Sequence, residues 1–405
     1  MDALNRTKYI IYWSLGVLVL AVLGFLAWQY IVPVINRSPE TPGATEPVSG
    51  GVGSFPTGSI GEKLQERDQP FLPVGDTTTG PAIPPGDQQL IQLTDFSVVA
   101  PSLNEKGDAV LFYKKDGGDL LKSDFNGETD EKLSHITIVG ISEALWSPPK
   151  RDRAAVFYLD GETLKGFLHI GTSSVAVLPT NTQSFSWSPN GSQLAYLVRE
   201  GEELALVVAD SSAKNAKTVF RTPLLDAKII WITNDTISFQ TAPSAFADGF
   251  MFLYSRGSGK FTKILGPLRG LSTNWSPDGK RVLVSSTVGG GNTALNVYDS
   301  AGKQIFLTGL ATIAEKCAWS FAERLYCAVP KETAPNVVWP DDYLRGELNT
   351  VDRVVRIDLK TKETTEVFSG ESSFFDMSDL VLTPDEKYFF FVNRFDGTLW
   401  RLKTK

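Results

Sequence analysis

The sequence predicts an all-β chain folded as a seven-bladed β-propeller, and three observations carry that prediction. One phrase recurs seven times, its copies are spaced in the forties, and the two ends of the repeat array supply complementary strands. The clearest copy is Trp275-Ser276-Pro277-Asp278-Gly279-Lys280 running into Val282-Leu283-Val284. Trp187-Ser188-Pro189-Asn190-Gly191 and Trp146-Ser147-Pro148-Pro149 repeat it, and degenerate copies begin at Leu103, Trp231, Trp319 and Leu382. From anchor to anchor the steps are 43, 41, 44, 44, 44 and 63 residues. Such a period, made of short β-rich units, is the signature of four-stranded propeller blades, one per copy.

Each part of the phrase has a physical role. An apolar residue closes one strand, Ser-Pro-Asp-Gly turns the chain, and an apolar run opens the next strand. Proline presets φ for the turn, Asp or Asn bonds back to its own backbone, and Gly accepts a positive φ. A second strand pair follows within each repeat. Ala294 to Asp299, a turn at Ser300 to Lys303, and Gln304 to Leu307 show it in one repeat, and Leu204 to Asp210 with its turn at Ser211 to Lys214 in another. Apolar positions alternate or run continuously, as sheets sandwiched between neighbours require.

The ends of the array predict how the ring closes. The last repeat supplies three strands, around Asp379–Leu382, Tyr388–Val392 and Thr398–Leu402, while Gln89 to Thr94 is a spare strand before the first repeat. Pairing the spare strand into the last blade removes two open sheet edges at once.

The phrase, its spacing and its Pro-Asp-Gly turn resemble the TolB-like family of β-propellers, over roughly residues 88 to 403. That resemblance implies the fold. For function it implies either a binding scaffold or a propeller attached to a peptidase, both of which the family contains. With no hydrolase domain after the propeller, the chain is similar to a membrane-anchored, non-enzymatic branch.

Residues 1–8, 9–32, 33–87 and 88–405 read as a cytoplasmic N-terminus, a transmembrane helix, a linker and the propeller. Tyr9 to Val32 is a 24-residue run without charge, long enough to span roughly 30 Å of hydrocarbon as a helix. Tyr9, Tyr12 and Trp13 sit at one end and Trp28 and Tyr30 at the other, where interfacial aromatics belong. Arg6, Lys8 and the amino terminus precede the run, so the positive-inside rule places everything after Val32 outside the cytoplasm. The competing reading is a cleaved signal peptide, but the apolar run is long and no small-x-small site follows it. Pro33 to Gly86 holds ten Pro and nine Gly in 54 residues. Such composition cannot bury enough apolar surface to offset ordering entropy, and predicts a disordered linker.

Composition narrows the partners. A net charge of −7 and a pI near 5.1 leave no basic footprint for nucleic acid. Partners are expected to be an extracytoplasmic protein or a cell-envelope polymer, with the membrane held by the N-terminal helix. No cofactor is expected. The only histidines, His135 and His169, stand alone between strand residues, and no His or Cys spacing suggests zinc. No Gly-x-Ser-x-Gly elbow occurs. Ser211/Lys214 and Ser300/Lys303 fit Ser-x-x-Lys but lie in Asp-Ser turns of the repeats, as punctuation. Asp116-Gly117-Gly118-Asp119 and Asp396-Gly397 are short hairpin turns without the ligand count for calcium. Asp341-Asp342 is the one paired carboxylate in an irregular segment.

Two features remain as candidates. Cys317 and Cys327 flank the turn of the sixth repeat, so they face each other across neighbouring strands, as a disulfide or as two buried thiols. Meanwhile the second-to-third strand connections, tight elsewhere, lengthen in three consecutive repeats: Thr241 to Gly249, Ser286 to Thr293, and Pro330 to Arg353. Neighbouring blades would join them into one raised rim, with Phe246 and Asp248 facing Trp339, Asp341, Asp342, Tyr343 and Arg345. Insertions on one face often mark the binding side of a repeat array, and Trp, Tyr and Arg are enriched at hot spots. Trp339 and Tyr343 have a second reading, as packing that seats the insertion on the ring. Two functions from different classes follow: a non-catalytic binding scaffold, and a propeller enzyme of the two-carboxylate glycosidase type with its site in the central channel.

Overall fold

The computed structural model describes residues 89–404 except 129, 135, 136, 139, 172, 173, 322, 333, 334 and 371–373. The expected transmembrane run and linker, and His135, lie outside the described residues. Among the described residues no helix is long and apolar enough to cross a membrane.

Seven four-stranded antiparallel sheets follow one another along the chain. Six are built from consecutive strands, spanning Val98–Lys132, Ile141–Val177, Thr182–Thr222, Lys228–Arg269, Ser272–Leu310 and Cys317–Phe368. The seventh takes Met377–Leu382, Tyr388–Asn393 and Leu399–Lys403, and its fourth strand is Leu90–Gln92 from the other end of the chain. Leu90 pairs with Leu402, Ile91 with Arg401 and Gln92 with Trp400. The strand exchange predicted from the termini is therefore present, as are the seven blades. Gln89 accepts a backbone bond from Lys403, and Thr404 donates to Lys387 in a Pro-Asp turn, so both ends of the described chain lie on the turn side of the ring.

The phrase itself shows why it recurs. Its anchor, Trp in five blades and Leu in two, ends the first strand of each blade, and three indoles donate to a first-strand carbonyl of the preceding blade. Trp146 reaches Ala100 at 2.8 Å, Trp187 reaches Leu145 at 2.8 Å, and Trp319 reaches Asn274 at 3.1 Å. The anchor is thus a core residue and an inter-blade staple at once. The glycine position needs φ > 0, and where glycine is absent the backbone is left-handed anyway, at Glu323 (φ 61°) and Glu386 (φ 57°). At Gly191 a Cβ would sit 1.9 Å from the Pro148 carbonyl oxygen of the neighbouring blade, so only glycine fits there.

The hydrophobic core is divided into seven wedges, one between each pair of adjacent blades. That between blades seven and one joins Ile91 and Phe390 to Val110 and Phe112, and that between blades six and seven joins Tyr326 and Val354 to Met377 and Phe389. A ring with a wedge at every junction has no open side. In blade six Cys317 and Cys327 are register partners and form a disulfide, with 4.1 Å between their Cα atoms. By loop-closure entropy so short a link contributes about 2–3 kcal/mol.

Strand order sorts the connections onto two faces. First-to-second and third-to-fourth turns lie on one side, which we call the turn face. Second-to-third connections and the blade-to-blade links lie on the other, the loop face. First strands contact one another from blade six through seven and one to four, so the first strands line the axis.

Candidate functional site

Three long second-to-third connections lie on the loop face, over residues 241–247, 288–292 and 331–351 of blades four, five and six. Side chains and backbone tie them into one structure. Asp341 accepts from Ser244 Oγ at 2.9 Å and from the Ala245 amide at 2.7 Å, joining blade six to blade four. The Trp339 amide donates to the Gly291 carbonyl at 2.9 Å, and Thr287 Oγ1 donates to the Trp339 carbonyl at 2.6 Å, joining six to five. Hydrogen bonds to a charged acceptor are each worth about 1.5–3 kcal/mol, so these ties preorganise the rim.

The candidate residues divide by what they touch. Phe246 and Asp248 are exposed, and Asp248 lies 3.8 Å from Arg269. Arg345 is exposed and bonded to Asp342 and Glu347. Trp339 and Tyr343, read from sequence either as facing a ligand or as packing the insertion, are buried and stacked on each other with centroids 5.2 Å apart. They form a small cluster with Ile313, Val337 and Leu348 that seats the insertion on the ring. Of the two readings of these aromatics, packing is the one their burial supports. Asp341 and Asp342 do not act as a carboxylate pair. Asp341 binds blade four, while Asp342 closes the one-turn helix Asp341–Leu344 by accepting from the Val338 amide and Arg345. A cavity of about 550 Å³ lies at the root of the insertion, walled by Lys331, Pro335, Trp339, Leu348 and Thr350.

Beneath the insertion is a charged network that the sequence reading missed. Lys316, Asp352 and Asp376 are all buried. The Lys316 ammonium donates to Asp376 at 2.6 Å, lies 2.8 Å from Asp352, and reaches the Tyr343 hydroxyl at 3.0 Å and Thr350 at 3.1 Å. Arg394 donates to Asp376 and stacks on the Tyr343 ring. Burial alone would lower Lys316, but Asp352, Tyr343 and Asp376 outweigh it and hold the ammonium above its usual value. Burial pushes Asp352 up, and Lys316 partly offsets this. Burial raises the Tyr343 phenol to about 12. Lys316, Tyr343 and Thr350, Asp376, and Arg394 come from four separate connections and Asp352 opens a strand, so no local spacing announces them.

The central channel holds a second constellation. Glu143 and Asp379 stand on the first strands of blades two and seven, and Lys228 opens the first strand of blade four. Both carboxyls are exposed to water, within a channel whose walls partly desolvate them. That enclosure raises Glu143, with Lys228 pulling it down and Asp379 pushing it up. Enclosure likewise raises Asp379, opposed by Ser378 and Arg394. Glu143, Lys228, Gln183 and Ser184 line a cleft of about 650 Å³ whose apolar wall includes Phe157, Leu164 and Pro243. Among the described residues no group of three or more His, Cys, Asp or Glu side chains is placed to hold a metal ion. His169 is buried, with Nδ1 2.8 Å from the Tyr113 hydroxyl.

The sign of the Asp379 effect fixes a prediction. A carboxyl raised in the native state binds its proton more tightly folded than unfolded. The native state therefore loses stability as pH rises from the unfolded value, about 3.9, through the raised native one. Asp379→Asn removes that loss, and Asn tolerates the left-handed backbone at this residue (φ 49°). The variant should melt higher than the parent at pH 7, with the gap closing near the unfolded value. A gap of the same size at both pH values, or a lower melting point at pH 7, would refute the assignment.

Exposed apolar groups on the loop face were also missed, Phe246 excepted. Leu344, Phe374 and Phe395 are 48%, 78% and 50% exposed, beside Phe246 at 72% and Val288 at 45%. The sequence offers one signal for them, large apolar residues within connections rather than strands.

No protein-family model and no curated relative matches the chain. Solved structures do. The chain is similar to oligogalacturonate lyase from Vibrio parahaemolyticus, with 12% identity over 78% of this chain and 93% of that one, at a TM-score of 0.57. It is similar to an uncharacterized protein from Listeria monocytogenes, with 13% identity over 77% and 96% at a TM-score of 0.51. It is also similar to the β-propeller domain of the Trilobed protease from Pyrococcus furiosus, with 12% identity over 77% and 96% at a TM-score of 0.52. That domain has an open velcro topology, whereas here the strand Leu90–Gln92 closes the last blade. At these identities the likeness shows the β-propeller fold and nothing finer.

Proposed function

We propose that this chain is a membrane-tethered, non-catalytic binding propeller facing the extracytoplasmic space, and that the rim on blades four to six takes its partner. One observation carries the reading: three long connections from consecutive blades are bonded into a single preorganised structure through Asp341, Trp339 and Thr287. Preorganised loops lose less entropy on binding than loose ones. The charge-free run Tyr9 to Val32 supports the tether, and Arg6 and Lys8 support its orientation.

Two experiments test the two halves of this reading. Replacing Lys331 to Val351 by an Asn-Gly turn should leave the blades folded and abolish partner capture; unchanged capture by the folded variant rejects the rim. Protease added to intact cells should cut between Pro33 and Gly86 and release the propeller. Cutting only after the membrane is broken reverses the orientation.

A second reading, an enzyme in the channel, is favoured by the raised carboxyls Glu143 and Asp379 beside a cleft of about 650 Å³. Their sign and the chain's net charge of −7 disfavour a polyanionic sugar as substrate.

A further inference from the structure

We propose that the partner of the loop face is a protein segment that is both apolar and basic, alternating large aliphatic or aromatic side chains with lysine or arginine. This rests on the reading of the loop face as the binding side, and two independent observations specify the occupant.

The first is an arc of exposed apolar side chains. Phe246, Val288, Leu344, Phe395 and Phe374 lie in connections of blades four to seven. Bonds between the segments that carry them tie these connections together. Ala245, beside Phe246, donates to Asp341 in the helix that ends at Leu344. The Trp339 amide reaches Gly291 in the connection that carries Val288. Arg394, beside Phe395, donates to the Tyr343 carbonyl, and its amide donates to the carbonyl of Asp376, two residues past Phe374. Of the other exposed large apolar residues, Val177, Val219, Ile305 and Leu307 lie on outer strands and Phe321 on the turn face, while Leu159, Leu164 and Leu225 lie in or beside loop-face connections of blades two and three. A contiguous apolar arc rimmed by polar groups is what a protein partner's side chains bury.

The second observation is the sign of the charge. The acidic excess of the chain falls in the loop-face connections, as at Glu162, Glu202, Asp226, Glu332 and Glu347, whereas the turn-face connections are near balance. Basic groups on the arc are engaged within the protein. Arg345 is bonded to Asp342 and Glu347, Lys331 to the Gly370 carbonyl, and Arg394 to Asp376 and Tyr343, while Lys316 is buried. The face therefore presents apolar side chains in a negative field, which attracts a basic apolar segment and repels nucleic acid and acidic polymers.

The test uses the full-length chain in nanodiscs of zwitterionic lipid, with empty nanodiscs as the blank, and three short labelled peptides read by fluorescence anisotropy. One peptide alternates Leu and Lys; the second has each Lys replaced by Glu; the third has each Leu replaced by Ser. The Leu/Lys peptide should bind at least about tenfold more tightly than either counterpart. Its affinity should fall at least about tenfold between about 50 and about 300 mM salt. Combined Phe246→Ser, Phe374→Ser and Phe395→Ser should cost a similar factor, whereas Val219→Ser, Leu307→Ser and Phe321→Ser together should not. Equal or better binding of the Leu/Glu peptide overturns the basic partner while leaving the rim to its own deletion test. Equal losses in the two triple variants, or no binding of the Leu/Lys peptide, overturn the docking surface.

Discussion

Lys316→Met is expected to destabilise the propeller by about 3–5 kcal/mol in equilibrium urea unfolding, the usual loss when one member of a buried charge network is removed. Methionine keeps most of the aliphatic stem but leaves Asp352 and Asp376 buried without their ammonium. Of the two carboxylates Arg394 contacts Asp376, so Asp352 becomes the stranded charge, with the Met377 amide and the Asp352 backbone contact to Phe375 still in place. A specific control follows. Adding Asp352→Asn to Lys316→Met removes that charge and should recover part of the loss. The single variant should also regain stability as pH falls, because its stranded carboxyls take up protons. A loss under about 1 kcal/mol, the range of an exposed pair, would mean that this cluster is not the low-dielectric site its burial implies.

That network marks the boundary of what the sequence made legible. The blades were readable because a propeller repeats one local solution: Trp187 and Trp275 meet the same turn chemistry, and the forty-residue step needs no knowledge of contacts. The exchange of Leu90–Gln92 into blade seven was readable for a similar reason, since a strand count leaves one short and one over. Cys317 and Cys327 could be paired because a hairpin fixes which residues oppose each other. The site was legible only in outline. That 241–247, 288–292 and 331–351 would meet follows from blade order, but which side chains turn inward depends on packing across blades. Trp339 and Tyr343 have the composition of hot-spot residues and the burial of core residues, and only the second is visible once Ile313 and Leu348 are placed against them. Lys316 and Asp376, sixty residues apart, precede the first strands of adjacent blades, and nothing local pairs them.

Trp339→Ala should separate the rim from the ring. The indole is 2% exposed, and its cluster with Ile313 and Tyr343 is distinct from the seven inter-blade wedges. Truncating a buried tryptophan typically costs about 3–5 kcal/mol, but a loss confined to one satellite cluster releases that cluster before the rest unfolds. Amide exchange should therefore accelerate through 331–351, and also through 241–247, because Asp341 would no longer be held where it accepts from Ser244 and Ala245. Strands of blades one to three should keep their protection. Trp339→Phe preserves an apolar ring against Tyr343 and should lie between the two. Partner capture should fall in the same order as protection of the rim, since what is lost is the fixed arrangement of Phe246, Leu344 and Arg345 and not their chemistry. Unchanged exchange at 241–247 in Trp339→Ala would show that the connections of blades four and six are positioned independently, and the single rim would have to be abandoned.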